Sequence, residues 1–95
     1  ADLKSGDAKE RERSILALAA MGPKASSALG ALAPLLKSDP SPRVRICAVV
    51  AVASVARTNQ DAVAPLRKAM SDPDPRVRAV AAQALKVLEG GAAAD

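Results

Sequence analysis

The side chains able to support catalysis or metal binding are few in this sequence. The 95 residues include no histidine and one cysteine, Cys47, so a typical zinc site is excluded. Cys47 lies in the apolar run 46–56, which predicts a buried structural thiol rather than a reactive one. No recognisable base stands near the candidate serine nucleophiles, which are Ser14, Ser26, Ser27 and Ser54. We therefore predict no catalytic residue, no cofactor, no metal and no enzyme activity.

Arginine and aspartate recur at matching positions in two segments. Residues 39–45, DPSPRVR, return as residues 72–78, DPDPRVR. The planar guanidinium of arginine suits a carboxylate or a turn carbonyl, so the pattern favours a structural ladder. Its members are Asp39, Arg45, Asp72 and Arg78. The alternative is that the two arginines form a basic ladder that binds a ligand.

A second set of basic residues lies near the starts of the predicted helices. Arg43 and Arg76 stand two positions before the ladder arginines and have no obvious fixed partner. Together with Lys9 and Arg13 they predict a basic, partner-binding rim. The alternative is a row of solvated helix starts, because acidic residues in the same turns could neutralise most of this charge locally.

The two matching segments also define a repeat that organises the chain. The offset from 39 to 72 is 33 residues, and a degraded third copy runs through Arg11, which lies 34 positions before Arg45. A repeat of this length with helical periodicity indicates one helical hairpin per unit. We expect Asp39 and Asp72 to act as turn and N-cap residues. The fold is thus predicted to be all-α, a short α-solenoid with helices at about 9–21, 24–37, 42–56, 60–70 and 75–89.

The pattern Asp-Pro-x-Pro-x-Val-Arg, followed by x-x-Ala-x-x-Ala-Leu, resembles the HEAT repeat in its phycobilisome-lyase-like form. The resemblance covers about residues 3–89 and implies a repeat domain at 1–91. It also implies that the Val-Arg helices (9–21, 42–56 and 75–89) are the inner ones and line a concave face. The other two helices, 24–37 and 60–70, would then form the convex back. The first copy departs from the pattern, because Glu10 stands where Val44 and Val77 stand.

The resemblance implies a non-catalytic protein-interaction or scaffolding module that binds its partner on the concave face. The net charge of +4 favours an acidic protein partner. The alternative is an electrostatic nucleic-acid or polyanion binder, which would lack a stacking platform because the chain has no aromatic residue. No apolar run is long enough for a membrane span, and we expect a cytoplasmic location. Bilin attachment has no support beyond the repeat itself.

The two ends of the chain differ in their polarity. Gln83 and Lys86 replace the apolar Val50 and Ala53 of the previous repeat, which predicts a C-terminal cap followed by a flexible tail at 92–95. The first inner helix carries more apolar side chains than one neighbouring helix is expected to cover. We therefore expect the N-terminal face to continue into further repeats or to self-associate through Ile15, Leu16, Leu18 and Met21. The alternative is that helix 24–37 covers this face alone.

Overall fold

The computed structural model describes residues 3, 5–55 and 62–90, and these form helices joined by short turns. The α-helices are α1 (Ala8–Met21), α2 (Leu29–Ser38), α3 (Pro42–Val55), α4 (Val63–Ala69) and α5 (Pro75–Leu85). A 3-10 segment, Gly22–Ala28, joins α1 to α2, and a π-helical segment, Lys86–Gly90, follows α5. No strand occurs among the described residues. The predicted all-α fold of HEAT-like helical hairpins is confirmed.

Two aspartates fix the starts of the first and last α-helices. Asp7 Oδ1 accepts the N–H of Lys9 at 2.9 Å, and Asp74 Oδ1 accepts the N–H of Arg76 at 2.8 Å. The first N–H groups of a helix have no partner within the helix. An acceptor at this position therefore stabilises each helix by about 1 kcal/mol.

Asp39 and Asp72 lie two residues before the N-cap position of the following helix. Their Oδ1 atoms accept the N–H groups of Ser41 at 2.9 Å and of Asp74 at 2.8 Å, which closes the turn before each helix. The prediction that Asp72 caps its helix was wrong, because Asp74 is the N-cap of α5. Proline prefers the first helical position, so the residue just before Pro75 becomes the cap.

The helices outside the Val-Arg set are shorter than expected. α1 ends at Met21, and Gly22 caps it with a φ of 61°, which favours glycine. A 3-10 segment follows, so α2 begins only at Leu29. Pro34 lies inside α2 and removes one backbone donor there. α4 spans only Val63–Ala69, and its expected start near residue 60 lies outside the described residues. The tail predicted at 92–95 also lies outside them.

The helices pack in two layers around α3. One layer, which we call the inner layer, contains α1, α3 and α5 side by side, and the other contains α2 and α4. Because α3 has a neighbour on both sides, it buries six residues, whereas α1 buries two. The core is aliphatic throughout. Its largest fully buried members are Ile15, Leu32, Leu36, Leu66, Val44, Val49, Val52, Val55 and Val77.

Candidate partner-binding face and arginine–aspartate ladder

Arg45 joins two successive turns of the chain. Its Nε and Nη2 donate to Asp72 Oδ2 at 2.8 Å and Oδ1 at 3.1 Å, which makes a two-point contact. Its Nη1 donates to the backbone carbonyl of Asp39 at 2.7 Å. Both charged side chains are nearly buried. One arginine therefore ties the start of its own helix to the start of the next inner-layer helix.

Arg11 makes the same three contacts one repeat earlier. Its Nε and Nη2 donate to Asp39 Oδ2 at 2.7 Å and Oδ1 at 3.0 Å, and its Nη1 donates to the Ser5 carbonyl at 2.7 Å. The hydrogen bond with Asp39 raises the pKa of Arg11 further above its already high value. Arg11 was absent from the residues predicted for the ladder. The signal was available, because Arg11 precedes Arg45 by one repeat of 34 positions.

The carboxylates of Asp39 and Asp72 have few acceptor positions left for a ligand. Asp39 Oδ1 accepts from Ser41 as well as from Arg11, and Asp72 Oδ1 accepts from Asp74 as well as from Arg45. Both aspartates are buried. This geometry supports the structural interpretation of Arg45 over the ligand-binding one.

Arg78 occupies the ladder position of the last repeat but is exposed. Its Nη1 donates to the carbonyls of Asp72 at 2.7 Å and Pro73 at 3.2 Å. Within residues 3, 5–55 and 62–90, no carboxylate pairs with it. The ladder as we define it thus consists of two complete pairs, Arg11–Asp39 and Arg45–Asp72, with Arg78 at its end.

The basic rim predicted from the sequence is partly paired. We expected Arg43 and Arg76 to have no fixed partner, and this was wrong. Arg43 Nη2 lies 3.2 Å from Glu12 Oε2 across the α1–α3 contact, and Arg76 Nη2 lies 2.8 Å from Asp74 Oδ2. The Arg43 and Arg76 side chains are nevertheless 75% and 66% exposed. Solvent screens both pairs at their largely exposed arginines, so another carboxylate can replace the partner at small cost.

Three of the four predicted rim residues surround one depression. Lys9 and Arg13 on α1 and Arg43 on α3 line an open depression of about 490 Å³, together with Glu12 and Ser41. Arg76 lies one helix further along, on α5. The structure therefore brings Lys9, Arg13 and Arg43 together and leaves Arg76 outside the group. Their role in binding a partner stays a prediction.

Next to these cations the inner layer exposes apolar side chains. Leu16 of α1 is 44% exposed and Val50 of α3 is 41% exposed. These residues are one repeat apart, and the matching residue of α5 is the polar Gln83. Ile46 and Cys47 lie half-buried one turn earlier on α3. We call this surface of α1 and α3 the inner-layer face. Sequence reasoning missed it, because Leu16 had been assigned to an N-terminal face instead.

Cys47 is half-buried rather than buried as expected. Loss of solvation raises the pKa of its thiol above the usual value, and the carboxylate of Glu12 raises it further. Arg43 acts in the opposite direction with a smaller effect. The thiol is therefore protonated at neutral pH, and this makes it a poor nucleophile.

The described part of the chain shows no constellation for metal chemistry. Within it, no group of three or more Cys, Asp or Glu side chains is arranged to hold a metal ion. None of the helices in this part is both long and apolar enough to cross a bilayer. What remains is a surface that combines exposed cations with exposed aliphatic side chains.

A protein-family model described as HEAT repeats matches residues 2–86. Comparisons with curated proteins and with solved structures give no match. The matched range contains both ladder pairs and almost all of the helical structure described above. The chain therefore belongs to the HEAT-repeat family.

Proposed function

We propose that this chain is a non-catalytic protein-binding module that holds its partner on the inner-layer face. HEAT repeats are generally protein-interaction scaffolds and are generally non-enzymatic. The observation that carries the proposal is the exposure of Leu16 and Val50 at matching positions beside the cations Lys9, Arg13 and Arg43. The concave curvature implied by the resemblance and the cytoplasmic location stay predictions.

The face selects a partner with both apolar and acidic residues. Burying an aliphatic side chain contributes about 1.5–3 kcal/mol, so covering the exposed halves of Leu16 and Val50 supplies roughly 2 kcal/mol in total. That is far less than a micromolar complex requires, which is about 8 kcal/mol. Contacts to the cations and to the half-buried Ile46 must supply the rest. An acidic amphipathic segment satisfies both needs.

The pairing of Arg43 with Glu12 sets the specificity of this contact. A partner carboxylate can replace Glu12 because the Arg43 side chain is 75% exposed and the pair is held by one bond of 3.2 Å. The same Glu12 repels a continuous polyanion that passes over the depression. A nucleic-acid role therefore remains the second prediction, and no described contact favours it.

The proposal can be tested with two probes added to the isotope-labelled full chain. The first is a synthetic amphipathic peptide with leucine and glutamate at helical spacing, and the second is a short DNA duplex. We expect the peptide to shift the backbone amide signals around Leu16 and Val50, and we expect Leu16→Glu to abolish binding. Met70→Glu is the matched control, because Met70 is also 44% exposed but follows α4 in the other layer.

Two results would contradict the proposal. One is peptide binding that survives Leu16→Glu and Val50→Glu together. The other is duplex binding near physiological salt with a log–log salt slope of roughly −3 to −4, as three or four phosphate contacts would give. That second result would establish the electrostatic alternative.

A further inference from the structure

The last arginine of the ladder is oriented like the other two but has unused donors. In Arg11, Arg45 and Arg78 alike, Nη1 donates at 2.7 Å to the carbonyl six residues earlier in the chain. The first two arginines use Nε and Nη2 to grip an aspartate of the next repeat. In Arg78 these two nitrogens bond to nothing among the described residues. The position of one carboxylate is therefore defined but unoccupied within the described residues.

The helix surface beside Arg78 is also uncovered. Val49 of α3 is fully buried, whereas its counterpart one repeat later, Ala82 of α5, is exposed. Met70, at the end of α4, is 44% exposed. We call the surface formed by Arg78, Ala82 and Met70 the α4/α5 edge. α3 packs against α5 as its next inner-layer neighbour, whereas α5 has no further inner-layer neighbour among the described residues.

An open groove runs along this edge. It has a volume of about 490 Å³ and is lined by Met70, Ala82, Leu85, Gln83, Arg67 and Lys86. None of the described residues that line it is acidic. The groove thus combines an apolar floor with cations, and the defined carboxylate position at Arg78 lies on the same helix.

From this arrangement we infer that the α4/α5 edge binds a helical repeat of a partner protein that carries an aspartate in the turn before its helix. The aspartate accepts from Nε and Nη2 of Arg78, as Asp39 and Asp72 do for Arg11 and Arg45. Apolar side chains of the partner cover Met70 and Ala82. This surface is separate from the inner-layer face, so the inference does not depend on the proposed function.

A second copy of this chain does not offer the required residues. At its opposite edge Ser5 holds the place of the ladder aspartate: its carbonyl accepts from Arg11, and its Oγ accepts the N–H of Asp7 at 3.1 Å. The turn is thus preserved without the carboxylate. Glu10, which accepts from Ser5 Oγ at 2.6 Å, is exposed where Val44 is buried. The two described residues at these ladder positions, Ser5 and Glu10, therefore supply neither the aspartate nor the apolar side chain.

This difference supplies a probe built from the chain itself. The probe carries Ser5→Asp with Glu10→Gln, which restores the aspartate and removes the carboxylate that would repel it. It also carries Arg78→Ala, so that it cannot bind its own kind through the same contact. Titration into the wild-type chain, followed by calorimetry and sedimentation velocity, is expected to give a one-to-one complex.

The controls change one partner at a time. Arg78→Gln in the target chain should weaken binding by about ten- to a hundredfold, since bonds to charged groups contribute about 1.5–3 kcal/mol. A probe that keeps Ser5 and Glu10 should not bind. Leu16→Glu in the target should leave binding unchanged, which separates this edge from the inner-layer face.

A second probe covers the case in which the altered chain does not fold by circular dichroism. It is a synthetic peptide of residues 62–90 that carries Asp72 and also Arg78→Ala, with Asp72→Asn as its control. Binding should shift the Nε–H signal of Arg78 in the labelled chain and leave those of Arg11 and Arg45 in place. The inference is overturned if neither probe binds, if binding is insensitive to Arg78→Gln, or if the wild-type chain alone associates through Arg78.

Discussion

The contact between Arg45 and Asp72 should be one of the largest single contributions to the stability of this chain. Two hydrogen bonds of 2.8 and 3.1 Å join nearly buried charges, and Asp72 also closes the turn through the N–H of Asp74. Removing one partner of a buried pair leaves the other charge uncompensated, at a cost of about 3–5 kcal/mol. A domain of this length has a free energy of unfolding of about 5–15 kcal/mol. Asp72→Ala should therefore remove about a fifth of it or more.

The size of the loss can be measured by urea unfolding followed by circular dichroism. Asp72→Ala and Arg45→Ala should each lower the free energy of unfolding by about 3–5 kcal/mol. The double variant should lose less than the sum, with a coupling of up to about 3 kcal/mol. Arg78→Ala is the matched control and should cost under about 1 kcal/mol, because its bonds reach only carbonyls and its side chain is exposed.

Either of two results would contradict a large contribution from the Arg45–Asp72 pair. A loss below about 1 kcal/mol for Asp72→Ala would show that the pair is no more important than an exposed salt bridge. Equal losses for Arg45→Ala and Arg78→Ala would show that the carboxylate contact adds nothing to the carbonyl contact that both arginines share.

Three further predictions concern single side chains. Val44→Asp buries an unpaired carboxylate at a fully buried position and should cost more than about 3 kcal/mol in urea unfolding, whereas Val50→Asp, at a 41% exposed position, should cost under about 1 kcal/mol. The pH dependence of Cys47 alkylation by iodoacetamide should give a thiol pKa above the usual value of 9.0. Glu12→Gln should lower that pKa and speed alkylation at pH 8. An unchanged alkylation rate would exclude an effect of the carboxylate. Hydrogen bonds from Arg76 lower the pKa of Asp74 to about 2 from 3.8, so its contribution to stability is complete above the unfolded value and lost as pH falls through about 2. A nuclear magnetic resonance titration should show this midpoint, and Arg76→Ala should return it towards 3.8.

The order of the helices and the repeat length could be predicted because residues of the same type recur at a fixed spacing in the sequence. The offset from Asp39 to Asp72 predicted one hairpin per unit, and helices α1, α3 and α5 begin within one residue of the positions expected from it. The segment after Gly22 was harder to predict. Proline and glycine weaken a helix there without specifying what replaces it, and the outcome was a 3-10 segment.

The pairing of charges could be predicted only in part. The ladder aspartates were identified because they repeat, and Arg11 could have been identified from the same spacing. The partner of Arg43 could not, because Glu12 lies 31 residues away and meets it only where α1 and α3 pack together. The exposure of single side chains could not be predicted either. Ile15 and Leu16 are adjacent and both aliphatic, yet Ile15 is fully buried and Leu16 is 44% exposed. Only the rotation of α1 within its layer separates them.

Departures from the repeat are informative where they coincide with a change of neighbour. Val44 and Val77 are fully buried, and each stands on a helix that packs against a preceding inner-layer helix. Glu10 takes the same position in α1, which has no such helix before it in the described structure, and there the side chain is exposed. Glu10 is therefore solvated at the repeat position where Val44 and Val77 are part of the core. Arg78 differs from Glu10 in this respect. It is still an arginine, as at the other ladder positions, although no described carboxylate pairs with it. Arg78 holds its Nη1 in place on two carbonyls while its Nε and Nη2 bond to no described residue, and these two oriented donors are the physical argument for a partner there.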